Sequence, residues 1–342
     1  MNPSREATSY YFLHLQKKLN VTAITSAVIA MLFAVIVLTG HILNSLPLIR
    51  FPYSVTGMNP MIAVSFLLTG VAVSLFVIAP SNNAVRIFCR IIAIFLIAEG
   101  LGRFAGFLGL FDPKLDLLLF RSRFLEAPAG VISGRMSYTS SFLLVLTAIG
   151  IIIRLSERRR ILQYILLTII GFSIFNFTSI VYGVSNVYFG PSLVLKMSLS
   201  ASVCFLLVAF ALLMTDYKQG IIAIIASPKT GGKIARSFLP LILFFPLLLA
   251  VIEVLNQRYD LFEPSFGHAL FSVICMIVFF VLIIRTAKLN NATHDKLLKE
   301  TKEREKAVEQ ASSSDLFASI IYDNIPNMVF VKEGKDLRFK SI

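Results

Sequence analysis

Charged residues are scarce in this chain of 342 residues, since Asp, Glu, Lys and Arg together make up only 15% of it. A soluble domain of this length needs about a quarter charged residues to cover its surface, so the scarcity excludes that class. Hydrophobic residues make up 56% of the sequence and gather in long runs, many of them near the roughly 20 residues that cross about 30 Å of hydrocarbon. The composition therefore predicts an all-α polytopic membrane protein.

Cysteine is rare, and the signatures of common enzymes are missing. Cys89, Cys204 and Cys275 lie within or at the edge of apolar runs, which predicts small buried residues rather than disulfides or metal ligands. The turn at Gly231 lacks the first Gly and the Ser or Thr of a phosphate-binding loop, and no nucleophile triad or Gly-Gly-Asp-Glu-Phe run occurs. The sequence therefore predicts no catalytic or metal-binding residue and leaves the cofactor unknown.

Acidic residues are outnumbered by basic residues, 19 against 32, which gives a formal net charge of +13. In a soluble protein this excess would suggest nucleic acid, but here Lys and Arg occupy short connections between apolar runs. In such connections they determine the topology and contact anionic lipid headgroups. We therefore predict the lipid bilayer as a partner, and no nucleic acid.

Eight apolar segments follow a polar N-terminal segment at 1–20. They predict membrane-spanning helices within a membrane domain at 21–287, at residues 21–43, 61–79, 87–110, 141–155, 161–184, 197–214, 238–255 and 268–284. Lys and Arg are enriched in alternate connections, including the N-terminal segment and the segment after the eighth span. The positive-inside rule then places both termini in the cytoplasm. A further apolar stretch at 220–227 is too short to span a membrane and predicts an interfacial helix.

A weak internal repeat accompanies these spans. Met58, Met136 and Met197 each open an inward-going segment that carries small residues early and a Leu-Leu pair near its middle. Alignment at the methionines leaves small residues in one column, at Gly70, Ala148 and Ala209. Small residues let helices approach closely, so the units would be helical hairpins in a bundle, related by duplication or by composition alone.

Ionisable residues inside or beside the spans are candidate sensing residues, because they are costly in lipid unless they are paired. Glu99 and Arg103 lie one helical turn apart in the third span. This spacing fits a structural ion pair, a polar switch that senses a stimulus, or simple proximity to the interface. The long outer connection at 111–138 contributes Asp116 and Arg135 as further candidates.

Two histidines form another candidate site. His41 and His268 lie near the outer ends of the first and eighth spans, which fits interfacial histidines or a haem, metal or proton-sensing site. No carboxylate or cysteine accompanies either one at ligand spacing. Within the fifth span, Ser173 and Asn176 are expected to donate hydrogen bonds to neighbouring helices.

The segment at 288–314 connects the last span to the end of the chain. Two basic residues, Arg285 and Lys288, mark the end of that span. The Lys- and Glu-rich sequence that follows predicts a charged helix. A candidate dimer seam and signal-transmission path lies along one face, at Leu297, Thr301, Arg304, Val308 and Ala311. Only three of these five residues are apolar, so we predict a homodimer whose connector is bistable rather than rigid.

Short motifs are distributed through the membrane part, at residues 96–101, 116–120, 133–136, 182–185, 196–197, 228–240 and 262–267. Together they resemble the multi-span N-terminal sensor region that precedes PAS domains in bacterial signalling proteins, mostly sensor histidine kinases and some diguanylate cyclases. This chain departs from that pattern at Tyr138, where the family has Pro. The resemblance implies a sensor in the bacterial inner membrane, with a kinase or cyclase module downstream and an unspecified stimulus.

The last residues, 315–342, combine a helical start, a turn at Asn324 and Pro326, a strand through Phe330 and a hairpin ending at Asp336. They resemble the opening of a PAS domain. Two strands cannot bury a core, so we expect this segment to be poorly packed and to belong to a longer signalling protein.

Three functions remain open. The leading one is the sensory input and transmission region of a PAS-linked histidine kinase, and the second is the same region of a diguanylate cyclase. His294, the histidine on the connector, lacks the Arg-x-Pro sequence that follows a phosphoacceptor histidine. The third is a transporter or channel. Transporters often have two spans broken by Gly or Pro at corresponding positions, whereas here Pro240 and Pro246 lie in the same span, which argues against this function.

Overall fold

The computed structural model describes most of the chain as helix. The residues it describes are 3–52, 56–110, 114–120, 135–156, 160–181, 197–216, 220–227, 229–259, 264–324, 331–332 and 339–341. Their helices are, in chain order, α1 (Pro3–Leu43), α2 (Leu46–Ile49), α3 (Pro60–Ile78), α4 (Asn83–Phe107), α5 (Tyr138–Leu155), α6 (Arg160–Val181), α7 (Leu199–Met214), α8 (Gly220–Ala226), α9 (Thr230–Tyr259) and α10 (Pro264–Asn324). A 3-10 turn, Leu115–Leu117, lies between α4 and α5.

The helices coincide with the apolar segments of the sequence. Over its described residues, each of the eight predicted segments lies mainly within a helix. Among the described residues, five helical stretches are long and apolar enough to cross a membrane: His14–Leu43, Pro60–Ile78, Tyr138–Leu155, Ile161–Val181 and Phe271–Phe317. Helix α7 is apolar too, but it has only 16 residues. The fold is therefore that of an all-α membrane protein.

Small residues bring the helices of the bundle close together. Helix α1 packs against α3 and α7, α4 packs against α5, and α6 packs against α7. The face of α1 toward its neighbours is a stripe of fully buried alanines, Ala23, Ala27, Ala30 and Ala34. A Cβ added at Gly70 of α3 would come within 2.4 Å of Met31 Cγ. Ala148 and Ala209, aligned with Gly70 in the repeat, are buried as well, as close helix packing requires.

Two of the three cysteines are buried, as predicted. The Sγ of Cys89 lies 3.7 Å from the carbonyl oxygen of Ala72, and the Sγ of Cys204 lies 3.7 Å from that of Ala30. Both thiols are free, and each donates weakly to the backbone of a neighbouring helix. The thiol of Cys275 is free and its residue is only partly buried.

Asn176 joins α6 to α7, as predicted. Its Nδ2 donates to Ser202 Oγ at 2.5 Å and to the carbonyl oxygen of Met197 at 3.2 Å. The same prediction is wrong for Ser173, whose hydroxyl donates to the carbonyl oxygen of Ile169 within α6 at 2.7 Å. A serine hydroxyl finds an acceptor one turn back in its own helix, whereas the longer Asn side chain reaches the next helix.

The short helix predicted at 220–227 is confirmed as α8. It begins at Gly220, which has a φ of +63°, a conformation that L side chains rarely adopt. The next backbone N–H, that of Ile221, donates to Oε1 of Gln163 on α6 at 2.5 Å. This contact anchors the start of α8 to the bundle, while its placement on a membrane surface remains a prediction.

The chain divides into two units, Met1–Val273 and Ile274–Ile342. In the second unit, α10 continues without a break past residue 314, where the connector was predicted to end, to Asn324. Strand β1 (Val331–Lys332) pairs antiparallel with β2 (Phe339–Ser341), with Lys332 opposite Phe339. Strands of two and three residues do not establish a PAS domain, so that assignment remains a prediction.

Candidate functional site

A network of polar groups at one end of the first unit is centred on Asp116. This residue lies in the 3-10 turn between α4 and α5, and its side chain is 1% exposed. Its Oδ2 accepts hydrogen bonds from Arg135 Nε and from the backbone N–H of Met136, each at 2.9 Å. The Nε of Arg103 lies 3.8 Å from the same oxygen. One carboxylate therefore contacts two arginines and the backbone of Met136, which precedes α5.

Arg103 links the end of α4 to the beginning of α5. Its Nε donates to the carbonyl oxygen of Met136 at 3.0 Å. Its guanidinium carbon lies 4.7 Å from the centre of the Tyr138 ring, a distance at which the cation is attracted to the ring face. The structure thus brings together three of the predicted polar residues, Arg103, Asp116 and Arg135, although they come from separate stretches of sequence.

Asn59 was not predicted as a site residue, yet it fixes the position of the 3-10 turn. Its Nδ2 donates to the carbonyl oxygen of Asp116 at 2.8 Å. Its Oδ1 accepts from the backbone N–H groups of Met61 and Ile62, so the same side chain caps the N-terminus of α3. The signal in the sequence was an Asn immediately before Pro60, since Pro is favoured in the first turn of a helix.

Glu99 does not pair with Arg103, so of the three interpretations of their spacing the ion pair is wrong. Arg103, one turn further along α4, turns instead toward Asp116 and the backbone of Met136. Glu99 is buried, and its Oε2 accepts a 2.5 Å hydrogen bond from Ser65 Oγ on α3. Its Oε1 has no hydrogen-bond partner among the described residues. A half-satisfied carboxyl group is costly inside a helix bundle, so Glu99 remains a candidate polar switch.

His41 lies beside this network rather than at an exposed interface. It is 2% exposed, its Nε2 lies 2.9 Å from the carbonyl oxygen of Met58, and its ring stacks on Phe120 with centroids 5.7 Å apart. Among the described residues, no group of three or more His, Cys, Asp and Glu is arranged to hold a metal ion. The backbone of His268 belongs to α10, but its side chain lies outside the described residues.

Three helices begin at this network, and each begins in the same way. Met58, Met136 and Met197, the residues that open the repeat, are all buried. The next residue caps the helix that follows: Asn59 caps α3, Ser137 caps α5 and Ser198 caps α7, each through its side-chain oxygen. The repeat in the sequence therefore corresponds to a repeated helix start, while its origin by duplication remains a prediction.

A cavity of about 240 Å³ lies between these helix starts. Among the described residues, its wall includes all three capping residues together with Arg103, Arg135 and Tyr138. The N-terminus of a helix carries a partial positive charge of roughly half a unit, so the wall combines two guanidinium groups with three positive helix ends. Both guanidinium groups contact Asp116, and each capping side chain already accepts a hydrogen bond from a backbone N–H of its own helix.

A second polar cluster, away from the first, is centred on Arg154, which was not predicted as a site residue. Arg154 lies in the last turn of α5 and is buried. Its Nε donates to Thr215 Oγ1 at 2.9 Å, and a terminal nitrogen donates to the Thr215 carbonyl oxygen at 2.8 Å. Its guanidinium carbon lies 4.4 Å from the centre of the Phe76 ring. These bonds tie the end of α5 to the end of α7, which points to a structural role.

The predicted transmission residues lie along α10. Arg285, Leu297, Arg304, Val308 and Ala311 are all exposed within the single chain, as residues of an unpaired seam would be. Asn324 is the last residue of this helix. The other predicted PAS residues, Pro326, Phe330 and Asp336, lie outside the described residues.

Comparison with known proteins returned no relative. No family model, no curated protein and no solved structure matches this chain.

Proposed function

We propose that the chain is the sensory input and signal-transmission region of a bacterial sensor histidine kinase in the inner membrane. In this proposal α1, α3, α4, α5, α6, α7, α9 and the first part of α10 are the eight spans, and both termini lie in the cytoplasm. The network of polar groups centred on Asp116 would then face the outside of the cell. The remainder of α10 would carry the signal into a PAS domain and the kinase module that follows.

The observation that supports this proposal is the continuity of α10. This helix runs for 61 residues, from Pro264 to Asn324, which corresponds to about 90 Å at about 1.5 Å per residue. Its first part is apolar and its second part is charged, with no break between them. An unbroken helix can pass a rotation or an axial shift from one end to the other, which a flexible linker cannot do.

The apolar part of α10 also supports insertion into lipid. Large apolar side chains are exposed around the helix, among them Met276, Phe279, Phe280 and Ile283, each more than half exposed. Its most apolar window has none of its residues buried inside the chain. Exposed apolar area costs roughly 25 cal/mol per Å² in water, so such a surface requires a hydrocarbon environment.

The charged part of α10 is proposed to pair with a second copy of the chain. Leu297 and Val308 are 58% and 68% exposed, and they lie on one face with Thr301, Arg304 and Ala311. Pairing would cover these apolar side chains, while Thr301 and Arg304 would weaken the seam. A weak seam allows two registers of similar energy, which a switch needs.

The proposal is tested by insertions after Gln310, in native membranes that contain the whole protein. One inserted residue rotates the following helix by about 100°, whereas seven inserted residues return it to within about 20° of its original phase. We expect the single insertion to change autophosphorylation several-fold and the seven-residue insertion to preserve it. Equal activity in both variants would leave the connector as a passive tether, and formation of a cyclic dinucleotide would identify the cyclase alternative.

A further inference from the structure

We propose that Glu99 is a proton-binding site whose ionisation is coupled to the packing of α3 and α5 against α4. Glu99 is 2% exposed, and its Oε2 accepts a hydrogen bond from Ser65 Oγ on α3 at 2.5 Å. Its Oε1 has no hydrogen-bond partner, and the carboxyl group forms no ion pair, among the described residues. A carboxylate with one neutral donor is far more costly to bury than a carboxylic acid. Glu99 therefore holds a proton in this packing.

The charged groups around Glu99 do not compensate a negative charge there. Among the described elements, α4 packs against α3, α5 and the 3-10 turn. Helix α3 contains no charged or titratable residue. The other such residues on these elements are Arg86, Cys89, Arg90 and Arg103 on α4, Asp116 in the turn, and Tyr138 and Arg154 on α5. Arg103 and Arg135 both contact Asp116, which is itself negative, and Arg154 lies in the last turn of α5.

The helices beside Glu99 are too close together to solvate a carboxylate. Ser65 is fully buried, and its carbonyl oxygen accepts from Thr69 Oγ1 at 2.7 Å. A Cβ added at Gly100 would lie 2.7 Å from the carbonyl oxygen of Ser141 on α5. Ionisation breaks the O–H bond at Oε1, passes the proton to water and leaves the electron pair on the carboxylate. Because the new charge needs water around it, α3 or α5 must separate from α4 when the proton leaves.

This coupling fixes the direction of the pH dependence. The folded chain binds one proton more than the unfolded chain, in which the Glu99 side chain reaches water. Stability then falls as the pH rises, and the equilibrium constant of unfolding increases by up to about tenfold per pH unit. A carboxyl group that is already ionised in the folded chain gives no such increase. Proton binding requires only the first unit, whereas the idea that the proton is the stimulus rests on the proposed function.

Infrared spectroscopy of the whole chain in zwitterionic lipid detects the proton directly, because the C=O stretch of a carboxylic acid differs from that of a carboxylate. Glu99→Gln keeps the shape of the side chain but cannot ionise, and Glu303→Gln, at an exposed position of α10, is the matched control. We expect an acid band at about pH 6, where an exposed Glu with a pKa of about 4.3 is ionised. The band is expected in Glu303→Gln, absent in Glu99→Gln, and lost in the unmodified chain by about pH 9, the upper end documented for buried Glu.

Two further measurements assign the band and its coupling to packing. In the acid form Oε2 is the carbonyl oxygen that accepts from Ser65, so Ser65→Ala is expected to shift the band to higher frequency. This variant also identifies the band if Glu99→Gln does not fold. Equilibrium unfolding in mixed micelles is then compared between the unmodified chain and Glu99→Gln over the same pH range. We expect the ratio of their unfolding constants to rise with pH, by up to about tenfold per unit.

Several results would overturn the proposal. They are a folded chain without the acid band at about pH 6, a band that persists at about pH 9, and a band unchanged in both Glu99→Gln and Ser65→Ala. A ratio of unfolding constants that does not change with pH would refute the coupling to packing. Autophosphorylation in native membranes separates the two proposals. A pH response that Glu99→Gln abolishes supports the sensory role, whereas the acid band without any pH response of the kinase supports the proton site and counts against that role.

Discussion

The substitution Asp116→Asn tests whether one buried carboxylate holds the site together. The Oδ2 of Asp116 accepts two hydrogen bonds at 2.9 Å, from Arg135 Nε and from the backbone N–H of Met136, in a side chain that is 1% exposed. Asn has nearly the same shape, so the change removes the charge and little volume. The two arginines beside it would then lose their shared negative partner.

The expected cost follows from these contacts. Hydrogen bonds to a charged group contribute about 1.5–3 kcal/mol each, which gives about 3–6 kcal/mol for the two bonds. The side chain of Arg135 is 29% exposed and recovers part of this by contact with water. We therefore expect Asp116→Asn to lower the free energy of unfolding by about 2–4 kcal/mol.

The assay is equilibrium unfolding of the whole chain in mixed detergent micelles, followed by the loss of helical circular dichroism. Asp295→Asn, which makes the same change at an exposed position of α10, is the matched control and is expected to be neutral. The double variant Asp116→Asn with Arg135→Gln is expected to cost less than the sum of the two single variants, by about 1–3 kcal/mol. A stable Asp116→Asn variant, or strictly additive effects, would refute the argument.

Two further predictions concern the packing of the bundle. Gly100→Ala places a Cβ 2.7 Å from the carbonyl oxygen of Ser141, so it is expected to destabilise the contact between α4 and α5 by about 1–3 kcal/mol, measured by the same unfolding assay. Gly171→Ala meets no atom within 4 Å and should be neutral or stabilising; equal effects at both glycines would contradict the close approach. Asn176→Ala is expected to cost about 1–2 kcal/mol because it removes the bonds from α6 to α7, whereas Ser173→Ala, which loses only a bond within α6, should cost much less. Similar losses for these last two variants would show that the bonds to α7 contribute little.

The amino-acid sequence by itself determined the helices and their membrane character. A span is an uninterrupted property of about 20 consecutive residues, so its location can be recognised without knowledge of its neighbours. Short stretches of sequence were also enough to predict the repeated segments that begin at Met58, Met136 and Met197, and the short helix at Gly220. The sequence also marked Arg103, Asp116 and Arg135 as unusual, because charged residues near apolar runs are rare.

Only the tertiary structure decided which polar groups meet. Glu99 and Arg103 are four residues apart and their spacing favoured a pair, but Asp116 and the carbonyl oxygen of Met136 offer Arg103 acceptors, while Ser65 offers Glu99 a donor. The partners come from other helices, and helix spacing in one segment contains no information about the segment packed against it. The cavity has the same origin, because three separately encoded helix starts form one wall only after α3, α5 and α7 have packed together.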